Sequence, residues 1–137
     1  MNTKILLIDD DPDLIDMYQP YLQQNGYDVK AAYNTSEAKE LFKSFDPTIV
    51  FCDLVMEHFD SGFVLTHWMS RQANRDKRWV VIFTSTGHET GYRFSTQTKE
   101  EKSWINADDY LDKPIAPRDL LQYVEEKVIP ALKAKNK

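Results

Sequence analysis

The 137-residue sequence predicts an α/β fold in which helices cover both faces of a parallel sheet. Three observations predict it: five short apolar runs, stretches of helical spacing between them, and short connections throughout most of the chain. Strands that alternate with helices form βαβ units, and such units build parallel sheets. The length suits one domain. We expect one domain over residues 1–137, with a core over about residues 1–129 and residues 130–137 as a tail or the start of a linker.

The first strand and helix are predicted over residues 4–26. Lys4–Ile8 is an apolar run that stops abruptly at acidic residues, as a buried strand does at the edge of a sheet. Asp11 and Pro12 then resemble a helix start, with the aspartate as N-cap and proline at the first helical position. The helix should stop at Asn25-Gly26. Pro20 lies inside it and lacks an amide hydrogen, so we expect a kink or a local break there.

The middle of the chain predicts two more strands. Tyr27–Ala32 can form the second strand, and an amphipathic helix entered from Asn34, Thr35 or Ser36 follows it. Thr48–Cys52 is rich in β-branched and aromatic residues, which favours a third strand. This strand ends at a carboxylate, as the first one does.

The last third of the chain is less regular. A helix that uses Phe63, Leu65, Trp68 and Met69 should lead to a fourth strand, Trp79–Phe83. Residues 87–107 are polar with scattered aromatics and give no clear pattern. A short fifth strand near residues 109–111 and a final helix complete the fold, and Pro130 should end or bend that helix.

Composition excludes several classes of function. The net charge of -5 and the pI near 5.1 have the wrong sign for direct binding to nucleic acid. The apolar runs are too short to span a membrane, and no signal peptide is visible at the amino terminus. One cysteine, Cys52, excludes an internal disulfide and a multi-cysteine metal site. We therefore expect a cytoplasmic protein.

Reactive side chains follow four of the five predicted strands. They are Asp9 and Asp10 after the first, Asp53 after the third, Thr84 after the fourth and Lys113 after the fifth. The carboxyl ends of parallel strands meet at one edge of a sheet, where open α/β sheets bind ligands. Three crowded carboxylates repel one another, and oxygen ligands favour Mg²⁺ as the neutralising cation. A hydroxyl and an ammonium beside such a cation suit phosphoryl transfer.

Four segments follow one another in order along the chain: Ile5–Pro12, Ile49–Met56, Val80–Ser85 and Asp108–Pro114. They resemble the signature segments of response regulator receiver domains of the CheY-like kind, and the likeness covers essentially the whole chain. The resemblance implies a flavodoxin-like (βα)5 fold, a doubly wound five-stranded parallel sheet with strand order 2-1-3-4-5.

The resemblance also implies the residues that bind a phosphoryl group and a metal. Asp53 corresponds to the phosphoacceptor. Asp10, with Asp9 partly through water, corresponds to the Mg²⁺ ligands, together with Asp53 itself and the backbone carbonyl of Val55. Lys113 corresponds to the lysine that pairs with the acceptor and then with the phosphoryl group, and the family usually has a cis peptide after it.

Two further residues correspond to the family's switch. Thr84 matches the hydroxyl that moves to bond the phosphoryl oxygen, although an assignment to Ser85 stays open. Tyr110 matches the aromatic whose rotamer reports that movement on the face made by the family's fourth helix, fifth strand and fifth helix. The chain departs from the family at Glu57 and at Asp60-Ser61-Gly62, and the distance from Thr84 to Lys113 indicates an insertion.

The function implied is a switch in a two-component or phosphorelay system, and not a metabolic enzyme. It would take a phosphoryl group from a sensor histidine kinase or a histidine phosphotransfer protein, and lose it by slow hydrolysis. A downstream target protein or an output domain outside this chain would read the switch, and a homodimer through the same face is a further expectation. Two alternatives stay open: a receiver-like docking module that works without phosphorylation, and a Mg²⁺-dependent phosphohydrolase of the haloacid dehalogenase type.

Overall fold

The computed structural model describes residues 3–54, 56, 61–84 and 107–135. It shows one sheet of five parallel strands in the order β2-β1-β3-β4-β5. The predicted fold class and strand order are therefore confirmed. The strands are β1 (Lys4–Ile8), β2 (Asp28–Ala32), β3 (Ile49–Cys52), β4 (Trp79–Thr84) and β5 (Asp109–Asp112).

Helices cover both faces of this sheet. They are α1 (Pro12–Gln24), α2 (Thr35–Ser44), α3 (Ser61–Ser70), a 3₁₀ turn (Arg75–Lys77) and a C-terminal helix made of an α-helical part (Pro117–Tyr123), a π-helical turn (Val124–Val128) and a second α-helical part (Ile129–Lys135). The segment between β4 and residue 107, which shows no clear sequence pattern, lies outside the described residues.

The central strands are apolar over most of their length because both of their faces are buried. Within β1, Ile5 and Leu7 pack under α1 and the C-terminal helix, whereas Leu6 and Ile8 pack under α2 and α3. Successive side chains of a strand point to opposite faces, so a strand covered on both sides needs apolar residues at every position. The sheet therefore has two cores, one on each face.

The helix starts follow the sequence prediction. The Asp11 side chain accepts a hydrogen bond from the amide of Asp13, at 3.0 Å, and so caps α1. Asn34, one of the three residues at the predicted start of α2, caps this helix by accepting a 2.8 Å hydrogen bond from the amide of Glu37. Each side-chain oxygen satisfies an amide that has no partner within the helix.

Pro20 does not break α1. The helix is continuous from Pro12 to Gln24, so of the two predicted outcomes the local break does not occur. Pro20 and Asp16 both lie on the exposed side of α1, so water can hydrate the Asp16 carbonyl that receives no hydrogen bond from the proline.

The expected tail from residue 130 is also wrong, because the C-terminal helix continues past Pro130 to Lys135. The π-helical turn directly before Ile129 changes the hydrogen-bond pattern, and the proline then lies in the first turn of the next α-helical part, where its missing amide is tolerated. Leu132 is buried in the core under β1 and β3. Residues 130–135 therefore belong to the packed domain.

Candidate functional site

Strand register brings the predicted site residues to one edge of the sheet. Ile8 is paired with Cys52, so the next residues, Asp9 and Asp53, leave neighbouring strands side by side. The amide of Asp53 donates to the Ile8 carbonyl at 3.0 Å, which extends this pairing to the acidic residue. On the other side, Thr84 ends β4, and its carbonyl accepts a 2.9 Å hydrogen bond from the Lys113 amide.

Three carboxylates form the centre of this edge. Each of Asp9, Asp10 and Asp53 offers an oxygen, and these oxygens all lie within 4.8 Å of one another. Asp9 and Asp53 are buried, whereas Asp10 is exposed. An all-oxygen donor set open to solvent on one side fits Mg²⁺, which prefers carboxylates and keeps several waters. The predicted metal ligand Val55 lies outside the described residues.

Lys113 places a positive charge beside the carboxylates of Asp9 and Asp53. Its ammonium forms an ion pair with Oδ2 of Asp9 and lies 3.7 Å from Oδ2 of Asp53. The Lys113-Pro114 peptide is cis, as the resemblance implies. The lysine therefore contacts both buried carboxylates, and the ion pair with Asp9 is the closer of the two.

Thr84 approaches the opposite oxygen of Asp53. Its hydroxyl donates to Oδ1 of Asp53 at 2.7 Å, and the Thr84 side chain is buried. A buried hydroxyl without a partner costs free energy, so this contact stabilises both groups. Ser85, the alternative to Thr84, lies outside the described residues.

Tyr110 is half-buried on β5. Its ring packs beside Leu54 and Ile82, and its hydroxyl donates to Oδ1 of the exposed Asp112 at 2.8 Å. The residue thus contacts the segment that follows Asp53 on one side and a surface carboxylate on the other.

Gly62 controls the backbone next to Asp53, and sequence reasoning gave it no role. Its amide donates to the Leu54 carbonyl at 2.7 Å. A Cβ at this position would lie 2.5 Å from the Asp53 carbonyl oxygen and still closer to the Leu54 Cα, a separation that real side chains do not adopt. Glycine therefore lets the start of α3 approach the end of β3. The only sequence signal is a glycine in the first turn of a helix.

Two aromatic residues support Lys113 and were also missed. The Phe83 ring lies 5.6 Å from the Lys113 ammonium, measured to the ring centroid. Tyr18 of α1 packs edge-on against Phe83 and donates its hydroxyl to the Ile115 carbonyl. No sequence pattern distinguishes these residues from ordinary core aromatics, because the contacts join segments far apart in the chain.

Cys52 lies directly before Asp53 but does not add a nucleophile. Burial, reinforced by the negative charges of Asp53 and Asp9, raises the pKa of the Cys52 thiol far above its usual value. The thiol is therefore protonated at neutral pH.

Within the part of the chain that the structure describes, no helix has the length and apolar character needed to cross a bilayer.

The fold and this edge define a class of protein: an open parallel α/β domain with acidic residues, a hydroxyl and a lysine at the carboxyl ends of its strands. A family model described as the response regulator receiver domain matches residues 5–125. The chain belongs to this family, the receiver domains of two-component response regulators. The family predicted from the four sequence segments is confirmed.

Known proteins support this assignment. Response regulator SaeR of Staphylococcus aureus (strain USA300) is 30% identical over 120 residues, which are 87% of this chain and 47% of SaeR. The chain thus spans about half the length of the curated relatives it matches. Chemotaxis response regulator CheY4 of Vibrio cholerae has a similar structure, with a TM-score of 0.76, 23% identity and coverage of 91% of this chain and 98% of CheY4. A two-component response regulator from Clostridium difficile gives a TM-score of 0.70 at 26% identity, over 90% of this chain and 93% of that one.

Proposed function

We propose that this domain accepts a phosphoryl group on Asp53 and acts as a phosphorylation-controlled switch, with residues 1–137 as a single receiver domain. The observation that carries the proposal is the pair of contacts on the Asp53 carboxylate. Thr84 donates to Oδ1 and the Lys113 ammonium lies near Oδ2, while two further carboxylates lie within metal-ligating distance. These are the groups that phosphoryl transfer to a carboxylate requires.

The transfer is an in-line displacement at phosphorus. An oxygen of Asp53 forms a bond to phosphorus while the bond from phosphorus to the imidazole nitrogen of a donor histidine breaks, and the electron pair stays on that nitrogen. Lys113 contributes positive charge beside the equatorial phosphoryl oxygens, which stabilises the transition state. The product is an acyl phosphate on Asp53.

Asp9, Asp10 and Asp53 would hold Mg²⁺, and the carbonyl of Val55 is the predicted fourth protein ligand. When bound, the ion supplies charge neutralisation for the incoming phosphoryl group. Asp10 is the most exposed of the three carboxylates, so it faces the side from which solvent and a donor arrive.

Thr84 and Tyr110 would convert this chemistry into a surface change. A phosphoryl group on Asp53 offers new acceptor oxygens, so the Thr84 hydroxyl can leave the carboxylate and bond to one of them. Tyr110 lies half-buried on the neighbouring strand, and its ring would move between the interior and the surface. The face that includes β5 then has two states, which a partner can distinguish.

The partners follow from the family and from the length of the relatives. The phosphoryl donor would be a sensor histidine kinase or a histidine phosphotransfer protein. Because the chain spans about half of SaeR, the switch would be read by an output domain outside this sequence or by a separate target protein. A homodimer through the face that includes β5 is part of the same proposal.

The direct test is chemical phosphorylation. The protein is incubated with Mg²⁺ and acetyl phosphate, and mass spectrometry follows the addition of one base-labile phosphoryl group. We expect the wild type to be modified and Asp53→Asn to remain unmodified. The matched control is Asp11→Asn, which removes an exposed carboxylate two residues from Asp9 and keeps a helix-capping side chain; it should be modified like the wild type.

Two outcomes would replace the proposal. If acetyl phosphate and a panel of histidine kinases all leave the wild type unmodified, the domain is a docking module that works without phosphorylation. If phosphate is released steadily and Asp53→Asn does not stop the release, the protein is a phosphohydrolase.

A further inference from the structure

Tyr18 links helix α1 to the loop that carries Lys113. Its side chain is buried, 2% exposed, and its hydroxyl donates to the backbone carbonyl of Ile115, 97 positions away in the chain. Ile115 is the second residue after Lys113. The hydrogen bond therefore fixes the chain just beyond the lysine.

The Tyr18 ring makes a second contact toward the same lysine. It packs edge-on against Phe83, with ring centroids 5.5 Å apart and an angle of 68° between the planes. The Lys113 ammonium lies 5.6 Å from the centroid of the same Phe83 ring, in a cation–π arrangement. Tyr18 thus supports Lys113 twice, through the backbone and through the ring under the ammonium.

The Tyr18 hydroxyl remains a hydrogen-bond donor at physiological pH. Burial raises the pKa of Tyr18, and the hydrogen bond to Ile115 and the charge of Lys113 offset only part of that increase. A neutral phenol in this position donates, and the Ile115 carbonyl accepts. This contact therefore does not depend on pH near neutrality.

We propose that Tyr18 is a positioning residue for phosphoryl transfer: its hydroxyl holds the Lys113–Ile115 loop so that the Lys113 ammonium stays between Asp9 and Asp53. This inference rests on the proposed function of Asp53 and adds a residue to it. The Tyr18 contacts are with Ile115 and Phe83 and not with Asp9 or Asp53, so Tyr18 acts through Lys113. Small displacements of a charged group cost rate because the transition state depends on its location.

The test compares Tyr18→Phe with Tyr123→Phe. Tyr18→Phe removes one hydroxyl and keeps the ring that packs on Phe83. Tyr123→Phe is the matched control, because the Tyr123 hydroxyl is also hydrogen-bonded and half-buried, donating to Asp109 and accepting from Trp79, but lies outside the site. The phosphorylation rate with acetyl phosphate should fall about tenfold in Tyr18→Phe, whereas the Mg²⁺ dissociation constant stays within about twofold because no carboxylate is changed.

A second readout reports on Lys113 itself. Brief acylation of lysines, followed by peptide mass spectrometry, gives the reactivity of each ammonium. We expect Lys113 to react several-fold faster in Tyr18→Phe than in the wild type, with Lys39 and the exposed Lys133 as unchanged internal references. Tyr123→Phe should leave the reactivity of Lys113 unchanged. Both variants are compared at temperatures where thermal unfolding shows equal folded fractions.

The outcomes separate the two proposals. If the wild type is phosphorylated and Tyr18→Phe matches Tyr123→Phe in rate and in Lys113 reactivity, Tyr18 is a packing residue and the inference is wrong. If the wild type is not phosphorylated but Lys113 becomes more reactive only in Tyr18→Phe, the positioning contact stands and the proposed function of Asp53 fails.

Discussion

The hydroxyl of Thr84 donates a 2.7 Å hydrogen bond to Oδ1 of Asp53, and both residues are buried. Lys113 lies 3.7 Å from the other carboxylate oxygen. Each oxygen of Asp53 therefore has a different neighbour, one neutral donor and one cation. A chemical change at either oxygen of Asp53 would alter one of these contacts, so we expect the end of β4 to respond to the state of Asp53.

Thr84→Val should lower the free energy of unfolding by about 1–3 kcal/mol, because it keeps the branched shape and leaves a buried carboxylate oxygen without its donor. Urea denaturation without Mg²⁺ measures the effect. Thr84→Ser is the control: it retains the hydroxyl and should lose less. A larger loss in Thr84→Ser than in Thr84→Val would mean that the methyl group, and not the hydrogen bond, stabilises this position.

The sequence predicted the parts of the site that depend on local pattern. Asp9, Asp53 and Thr84 each follow a short apolar run directly, so their placement at strand ends required only the strand boundaries. Parallel pairing then brings the ends together without any knowledge of side-chain packing. The same logic predicted the N-cap of α1 at Asp11.

Contacts between distant segments could not be predicted in this way. The hydrogen bond from Tyr18 to Ile115 spans 97 positions, and a tyrosine at a buried helix position gives no sign of its partner. The continuation of the helix past Pro130 depends on a π-helical turn, which no local propensity indicates. Gly62 falls between the two cases, since a glycine early in a helix shows that something unusual is required without showing what it is.

Asp10→Asn should weaken Mg²⁺ binding by roughly tenfold to a hundredfold, because an anionic ligand becomes neutral. A ligand that binds the folded state raises its stability, so Mg²⁺ should increase the thermal midpoint of the wild type and have much less effect on the variant. Without Mg²⁺ the variant should be at least as stable as the wild type, since one of three crowded negative charges is removed. Thermal unfolding at a series of Mg²⁺ concentrations measures both effects, with Asp11→Asn as the control. If Mg²⁺ raises the thermal midpoint of the wild type and of Asp10→Asn equally, Asp10 does not bind the ion.

Gly62→Ala should lower the free energy of unfolding by about 2–4 kcal/mol, because the added methyl group meets the backbone of Asp53 and Leu54, which cannot move aside easily. The same displacement should slow phosphorylation by acetyl phosphate. Val64→Ala is the matched control, an exposed position two residues later in α3. If Gly62→Ala and Val64→Ala unfold at the same denaturant concentration, the close approach of Gly62 to the backbone of Asp53 and Leu54 does not determine stability.

Asp109 should make stability depend on pH below neutrality. Burial alone would raise the pKa of this carboxyl, but hydrogen bonds from Lys127, the Tyr110 amide and the Tyr123 hydroxyl outweigh it, and the pKa is held below its usual value of 3.8. A group with a lowered pKa in the folded state contributes stability that is present above pH 3.8 and is lost as the pH falls through the folded-state pKa.

Asp109→Asn should therefore flatten the decline of stability with acid. Urea midpoints measured from pH 6 down to about pH 3 should differ between wild type and variant most at the upper end of that range. Asp119→Asn, at an exposed position in the first turn of the C-terminal helix, is the control and should keep the wild-type profile. If the urea midpoints of wild type and Asp109→Asn fall in parallel as the pH is lowered, the Asp109 carboxyl does not cause the loss of stability in acid.

The end of the C-terminal helix should be required for stability, although the sequence predicted a tail there. Leu132 is 5% exposed in the core, and the Lys135 ammonium lies 3.2 Å from both a carboxylate oxygen of Asp108 and the Arg78 carbonyl. Leu132→Ala should lower the free energy of unfolding by about 2–4 kcal/mol through the cavity it leaves. Lys133→Ala, at an exposed position next to it, should change that free energy by less than about 0.5 kcal/mol.

A chain that ends at Ile129 should be destabilised more than Leu132→Ala, because it also loses the contacts of Lys135, whereas a chain that ends at Lys135 should match the full sequence in urea denaturation. If ending the chain at Ile129 leaves the unfolding midpoint unchanged, residues 130–135 pack on the domain without stabilising it. Ending the chain at Ile129 removes a buried leucine and a partly exposed ion pair. Because a partly exposed ion pair contributes little, Leu132→Ala alone should account for most of the decrease in the free energy of unfolding.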